Sequence, residues 1–530
     1  MNPTDVSSGP EWVAGPSLQP AGGGPLRVLF LSVEVESFAK TGGLGDVAAA
    51  LPKALRERGV DVRICMPRYG FIPERWLDPD PAVVNLQVPL GRRTEPVTIR
   101  TAELGEPGTK HAIGAPDAGE PVPVYLVESP RYFGRDSIYG YADDGERFLV
   151  YCRAALEMCR ALGWTPHVVH CNDWHTGIVP NWLATLYRDD PFWARTATVF
   201  TIHNLAYQGL FDFHFLEQAG LAQYGFVYQQ LAEFRNVVNL MGRGILYADA
   251  VNTVSERYAR EILTPEFGER LDPLLRDRQD RLFGILNGID VAVLDPATDP
   301  HLRANFDVHS LERRSENKLA LQREAGLPVD PEIPVVGMVG RLSGQKGLDI
   351  LMPVLEPLLR RRLQLVVLGI GEERYHYQLL DRQQAHPKQA AVFLAFDTPL
   401  AQRIYGGADV FLMPSRYEPC GLGQMIAMRY GAVPVVRATG GLADTVQDWD
   451  PRRQTGTGFS FERFDPLDLF AAVVRAAETF QYPAVWRGLQ QAGMRADFSW
   501  QRSAYRYLAV YRAALRARAL EAESRWAKDD

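Results

Sequence analysis

The stretch Arg27–Asp46, RVLFLSVEVESFAKTGGLGD, decides the fold. Arg27–Ser32 reads as a buried strand, apolar from Val28 to Leu31, and Lys40–Asp46 is a glycine-rich loop. Beyond it, apolar residues recur at Val47, Ala50, Leu51, Ala54 and Leu55, the spacing of one helix face, and the pattern stops at Gly59. Strand, glycine-rich loop and helix in this order open a parallel α/β unit. Pro52 predicts a kink or a late start of the helix, because proline lacks the N–H that an interior turn uses. Glycines let the backbone approach a ligand closely, N–H groups at a helix start favour an anion, and Lys40 adds a full charge. The loop does not match the Walker pattern, so by itself it is weak evidence, open to reading as a phosphate site or as a structural turn.

Outward from this unit the same texture continues. A strand is predicted at Val60–Met66, a helix at Gly145–Leu162, and strands at His167–Asn172, Thr196–His203 and Ala248–Thr253. Between them, about 82–128 reads as β-hairpin material with a Gly/Pro-rich loop at Gly105–Pro121, and Leu205–Met241 reads as an aromatic-rich cap. The architecture then repeats. Val335–Val339 is a strand, Arg341–Gly347 a loop, and Leu348, Leu351, Met352, Leu355, Leu358 and Leu359 form a helix face. Strands follow at Leu363–Gly369, Ala391–Phe396, Asp409–Pro414 and Ala432–Arg437, and a last helix at Gln501–Ala519 is expected to pack back across a domain surface. The fold class is therefore α/β, with two doubly wound Rossmann-like domains facing across a cleft. The expected boundaries are a leader at 1–25, an N-terminal domain at 26–286, a linker at 287–312, a C-terminal domain at 313–500 and a terminal helix and tail at 501–530. In open α/β sheets ligands bind beyond the carboxyl ends of the strands, which directs attention to the loops there.

Composition narrows the function classes. The 530 residues are 46% hydrophobic and 23% charged, ordinary for a globular protein. With 57 basic and 64 acidic residues the net charge is -7, which argues against general affinity for nucleic acid or an anionic membrane. The five cysteines form no CxxC pair and are an odd number, a poor disulfide framework, so a cytoplasmic location is expected. No apolar run approaches the roughly 18 residues that span a bilayer.

Further constellations share the strand–loop–helix setting. Arg341 and Lys346 lie five positions apart in GRLSGQKGLD (340–349), which suits a diphosphate: arginine binds oxygens bidentately and lysine adds a point charge. PSRYEPCGLGQ (414–424) places the Glu418 carboxylate, an acceptor for sugar hydroxyls, beside the amides of Cys420, Gly421 and Leu422. Thr439 and Gly440 open TGGLAD at the end of the next strand. In the first half, HCNDWHTG (170–177) and FTIHNLAYQG (200–209) end strands. Their histidines lack the i, i+4 spacing of zinc proteases, so no metal is expected; His170 reads as a packed residue, and His175 and His203 as sugar contacts.

Together with NGID (287–290), GTGF (456–459) and DFSW (497–500), and with KTGGLGDV (40–47) and TGGLADTV (439–446), these segments resemble the bacterial glycogen synthase and plant starch synthase family of GT-B glycosyltransferases, in family order over nearly the whole chain after residue 26. The resemblance implies transfer of glucose from ADP-glucose to the non-reducing-end 4-hydroxyl of an α-1,4-glucan such as glycogen, with retention of configuration, no metal and no cofactor beyond the donor substrate. It implies that Lys40, Gly42 and Gly43 contact the donor, that Arg341 and Lys346 neutralise its diphosphate, that Glu418 holds glucose hydroxyls, and that His203 sits near the reacting sugar. Asp46, His175, Asn204, Cys420, Gly421, Leu422, Thr439 and Gly440 complete the expected binding set. Two departures stand out. Ser37 replaces a proline, and Met241-Gly242-Arg243-Gly244 lacks the family's lysine, whose charge Arg243 is expected to supply one place on.

The chemistry needs support for a glucosyl centre with oxocarbenium character and for a leaving diphosphate. No nucleophile stands out, so same-face attack is expected, with the departing phosphate helping to accept the proton. Because the groups come from both halves, domain closure is expected to assemble the site. The alternatives are a UDP-glucose-dependent GT-B transferase, and a glucan-binding regulator that has lost catalysis.

Overall fold

Short apolar runs alternating with helices give two sheets, one in each of two compact units. The computed structural model describes residues 23–105, 121–224 and 237–529. Most of the expected leader, nearly all of the expected 105–121 loop and the middle of the 205–241 cap lie outside the described residues. The first unit comprises Met1–Val254, Ala259–Ile285 and Trp500–Asp530, and the second Ser255–Tyr258 and Leu286–Ser499.

The strands of the first unit are β1 (Arg27–Leu31), β2 (Asp61–Pro67), β3 (Val83–Leu90), β4 (Arg93–Leu104), β5 (Val122–Glu128), β6 (Val168–Asn172), β7 (Ala197–Ile202), β8 (Leu210–Phe211), β9 (Val238–Asn239), β10 (Ala250–Thr253) and β11 (Leu282–Gly284). Nine of them form one sheet in the order β11-β10-β7-β6-β1-β2-β5-β4-β3, and β8 and β9 form a separate ribbon. From β11 to β5 the pairing is parallel; β4 and β3 add antiparallel. The hairpin material is thus an edge of the main sheet. Its central strands β6 and β7 are buried along their whole length, as parallel strands covered on both faces must be.

The helix Gly43–Arg56 runs through Pro52 and starts inside the glycine-rich stretch, so the late start does not occur. Burying Val47, Leu51, Ala54 and Leu55, at about 1.5–3 kcal/mol for each large side chain, outweighs one missing backbone hydrogen bond.

The helix Trp500–Asp529 belongs to this unit, and a buried polar network fastens it. Tyr511 donates to His170 Nδ1 (2.8 Å), His170 Nε2 meets Thr201 Oγ1 (2.6 Å), Thr201 donates to Asn252, and Asn252 Nδ2 donates to Tyr507 (3.2 Å). Since Thr201 gives its only proton to Asn252, His170 Nε2 carries hydrogen and Nδ1 accepts. Burial lowers the His170 pKa to about 3, so the ring is neutral, a packed histidine. Further along, Arg518 meets the buried Asp249 carboxylate at 2.9 Å.

The second unit contains β12 (Val335–Val339), β13 (Gln364–Leu368), β14 (Ala390–Phe393), β15 (Val410–Met413), β16 (Val433–Arg437) and β17 (Phe459–Phe461), all parallel in the order β14-β13-β12-β15-β16-β17. Residues 287–312, expected as a linker, are packed into this unit: Leu302, Phe306 and Leu311 share a core with Tyr405, Phe411, Met428 and Tyr430. The chain enters the unit early and leaves it at Ser499.

Arg518→Ala strips a buried carboxylate of its cation and is expected to destabilise the first unit by about 3–5 kcal/mol in denaturant unfolding at pH 8. Burial already holds the Asp249 pKa above its ordinary value. Losing Arg518 raises it further, so the variant's folded state takes up a proton on acidification and the deficit shrinks at pH 5.

Candidate active site

Each sheet reverses its winding once. In the first unit the chain proceeds from β1 to β2 and β5 on one side, then from β6 to β7 and β10 on the other, so the reversal lies between β1 and β6. In the second unit it lies between β12 and β15. At such a point the loops leave in opposite directions and open a crevice beyond the carboxyl ends of the strands. The Lys40 loop follows β1, the His170–His175 segment ends β6, the Arg341–Lys346 loop follows β12, and Ser415–Leu422 follows β15.

In the first unit Lys40 Nζ pairs with Asp46 Oδ1 at 2.6 Å and with Glu36 Oε1 at 3.4 Å. Burial alone would lower the Lys40 pKa, but the two carboxylates hold it above its ordinary value; burial pushes the Asp46 carboxyl up. Both side chains are about one-third exposed, so water screens the pair and it contributes no more than about 1 kcal/mol.

Sequence reasoning missed Glu34. Its carboxylate, at 4% relative exposure, accepts the Thr41 N–H (2.6 Å), the Gly42 N–H (2.8 Å) and the Tyr139 hydroxyl (2.5 Å). The Gly42 amide, expected to face the donor, is thus bound to an internal anion. Asp173, also missed, has φ +54° and accepts the His203 N–H at 2.8 Å. Burial, against the pull of the His203 and Asn204 amides, raises its pKa to about 7.

His203 Nε2 lies 2.8 Å from Asn172 Oδ1, and Asn172 Nδ2 donates to the Leu31 carbonyl, so Nε2 carries hydrogen and donates. The Asn204 side chain accepts the Ala206 N–H. His175 is packed against the rings of Trp174 (centroids 4.0 Å), Phe148 (5.0 Å) and Tyr139 (5.1 Å), and its Nδ1 is buried with no hydrogen-bond partner among the described residues. Burial lowers the pKa of both rings to about 3, so both are neutral. Arg243, expected to supply the missing lysine's charge, is a buried residue. Its guanidinium, at 5% relative exposure, donates to Asn181 Oδ1 (2.6 Å), and one residue along a helix turns a side chain by about 100°.

In the second unit Lys346 Nζ pairs with Glu418 Oε2 at 2.6 Å, and Ser415 Oγ donates to the same oxygen at 3.0 Å. Arg341, on the same loop as Lys346, is exposed. Close backbone approach explains two of the glycines. A Cβ at Gly347 (φ +82°) would lie 2.0 Å from the Pro414 carbonyl, and one at Gly440 (φ +46°) 1.9 Å from the Glu418 carbonyl. Only glycines let these three loops stack, and Gly441 N–H then donates to Glu418 O (3.1 Å). Burial pushes the Cys420 thiol up to about 12, so it stays protonated; Gly421 takes φ +71°, Leu422 caps the helix Gly423–Arg429, and Thr439 is buried. Phe396, at 85% exposure, follows β14, and Ile370, at 51%, follows β13, on the same edge of the sheet. Sequence patterning assigned Phe396 to a strand and saw no site signal in it. Among the described residues no group of three or more His, Cys, Asp or Glu could hold a metal ion, and no helix is long and apolar enough to cross a membrane.

Residues 27–277 match the family described as starch synthase catalytic domain, and residues 333–479 that described as glycosyl transferases group 1. The chain is 49% identical over 497 residues to a glycogen synthase of Moorella thermoacetica, covering 93% of this chain and 98% of that one. It is 44% identical over 492 residues to a glycogen synthase of Thermotoga maritima, covering 92% and 99%. Among solved structures it is similar to the catalytic domain of starch synthase IV from Arabidopsis thaliana bound to ADP and acarbose, with TM-score 0.83 and 31% identity over 93% of this chain and all of that one. A sucrose-phosphate synthase from Thermosynechococcus elongatus, at 18% identity and TM-score 0.54 over 92% and 98%, shares the fold.

The Asp173 carboxyl gives a pH test. With a folded pKa of about 7 against about 3.9 when unfolded, the folded chain keeps a proton that the unfolded chain loses across that window. Stability therefore falls as pH rises from about 4 to 7, by up to about 4 kcal/mol, and levels off above. Asp173→Asn keeps an acceptor and tolerates the positive φ. Its Tm should gain on wild type between pH 5 and pH 8; parallel Tm profiles would exclude a buried charge at this position.

Proposed function

The chain belongs to the glycogen synthase and starch synthase family and is a glycosyltransferase, and on that premise we propose that it transfers glucose from ADP-glucose to the non-reducing-end 4-hydroxyl of an α-1,4-glucan, with retention of configuration and without a metal or other cofactor. The observation that carries the reading is the cluster of Lys346, Ser415 and Glu418 at the winding reversal of the second sheet, with Arg341 on the same loop as Lys346. A cationic pair for a diphosphate stands next to a carboxylate for sugar hydroxyls, and the exposed Phe396 ring, at the same edge of the sheet, offers a face on which a base can stack.

Glu418 neutralises Lys346. A diphosphate carries more charge than one carboxylate and draws Lys346 and Arg341 to itself, which frees Glu418 to accept from the glucose hydroxyls. As the glycosidic bond breaks, charge grows on the phosphate, so these cations stabilise the transition state more than the ground state and lower the barrier. The amides of Cys420, Gly421 and Leu422 and the Thr439–Gly440 turn line the phosphate and sugar. In the first unit Lys40 meets the donor, and the neutral His203, with Nε2 donating to Asn172, keeps Nδ1 as an acceptor for a sugar hydroxyl. His175 and Asn204 sit beside it. Asp173 is bound to the His203 amide and Glu418 is taken up by the glucose hydroxyls, so neither is offered as a nucleophile, which favours same-face attack with the departing phosphate accepting the proton.

An ADP-release assay with glycogen tests this. ADP-glucose should be turned over far faster than UDP-glucose, the rate should require glucan, and a chelator should leave it unchanged. Lys346→Ala should lower kcat/KM for the donor by about 100-fold or more with the fold retained. Preference for UDP-glucose would overturn the donor assignment, an inverted product or a trapped covalent glucosyl-enzyme the chemistry, and glucan binding without ADP release the enzyme reading.

A further inference from the structure

The loop after β1 is built around an anion that belongs to the chain itself. The turn at 35–39 closes on reciprocal bonds between Val35 and Ala39 (2.9 and 2.8 Å), and Glu36 N–H donates to the Gly45 carbonyl at 3.1 Å, which ties the turn to the helix start. Behind it, Tyr69 O–H donates to the Val33 carbonyl at 2.9 Å. Inside this frame the Glu34 carboxylate takes the Thr41 and Gly42 amides on Oε2 and the Tyr139 hydroxyl on Oε1. A carboxylate so buried, with three short donors, is a fixed part of the loop: releasing it would leave a desolvated charge without partners. The Lys40 side chain then leaves the loop across Gly45, where a Cβ would stand 3.0 Å from Lys40 Cγ, and ends at Asp46. On its other side Tyr139 stacks on His175, 5.1 Å between centroids and 23° between planes.

We propose that Glu34 is a positioning residue: through Thr41 and Gly42 it aims Lys40 at the donor, and through Tyr139 it couples that loop to His175 across the β1–β6 reversal. The Thr41 and Gly42 amides are bound to Glu34 throughout turnover, so Lys40 acts on the donor through its ammonium alone. The proposal rests on the functional reading above and deepens it, since it concerns how the donor-facing lysine is held.

The test is a double-mutant cycle on the full-length chain, with kcat, the KM for ADP-glucose, the KM for glycogen and Tm measured for each variant. Glu34→Gln keeps size and an acceptor oxygen but removes the charge and can no longer accept on both oxygens. It is expected to lower kcat/KM for ADP-glucose by roughly tenfold or more while the KM for glycogen changes less than about twofold. Tyr139→Phe should act in the same direction, by about threefold to tenfold. Lys40→Ala should cost much in the wild-type background and little in the Glu34→Gln background, because a lysine that is no longer aimed has little left to lose.

A merely structural Glu34 would give multiplicative losses that follow Tm, and this would overturn the proposal. So would a lower KM for ADP-glucose in Glu34→Gln, which would mean that the carboxylate is a stand-in displaced by donor phosphate. If Glu34→Gln does not fold, the cycle between Tyr139→Phe and Lys40→Ala decides by the same criterion. If wild type releases no ADP from ADP-glucose, the functional reading fails, and the cycle is scored on ADP affinity by calorimetry.

Discussion

Two neighbouring parallel strands whose connections depart in opposite directions cannot both be roofed at their carboxyl ends, and each sheet here contains one such pair, β1–β6 and β12–β15. Much follows from that constraint. The loops that leave the two reversals carry lysines on glycine-rich turns: Lys40 beside Gly42 and Gly43, and Lys346 beside Gly347. The strands themselves are mostly buried and rich in apolar residues, so much of the polar chemistry collects at their ends. The glycines at 347 and 440 are the local condition for this in the second unit, since any side chain there would push the stacked loops apart.

A second regularity is that each of these two lysines has an internal carboxylate. Asp46 serves Lys40, Glu418 serves Lys346, and Glu34 serves the Thr41 and Gly42 amides. Partly buried cations and oriented amides without partners would be costly, and these contacts hold the loops in shape until a ligand arrives. The three carboxylates are not equivalent. Asp46 is about one-third exposed and can yield to a phosphate at small cost, whereas Glu34 is buried under three donors and cannot.

Much of this was legible in the chain. Strand–loop–helix order, the repeat near residue 333 and the glycine-rich turns follow from hydrophobic period and turn chemistry, and they located β1, β6, β7 and β12 closely. Other features were not legible because they depend on tertiary neighbours. Glu34 sits in an alternating Val-Glu-Val-Glu segment that carries no mark of which glutamate turns inward. The positive φ of Asp173 and the exposure of Phe396 are backbone and packing outcomes. β11 and β17 are three residues each, too short for a period to declare itself. Residues 287–312 look like a linker because Asp, Pro, Asn and His interrupt their apolar residues, yet Leu302, Phe306 and Leu311 are core. The burial of Arg243 and its bond to Asn181 depend likewise on tertiary neighbours.

The central claim is that the diphosphate of the donor is received at the β12–β15 reversal by Lys346 and Arg341, in exchange for Glu418. A crystal structure of the chain with ADP tests it most directly. The account predicts phosphate oxygens at about 3 Å from Lys346 Nζ and from the Arg341 guanidinium, with the Lys346–Glu418 pair opened and the base lying along Phe396. Phosphates bound elsewhere, with Lys346 still held on Glu418, would contradict it.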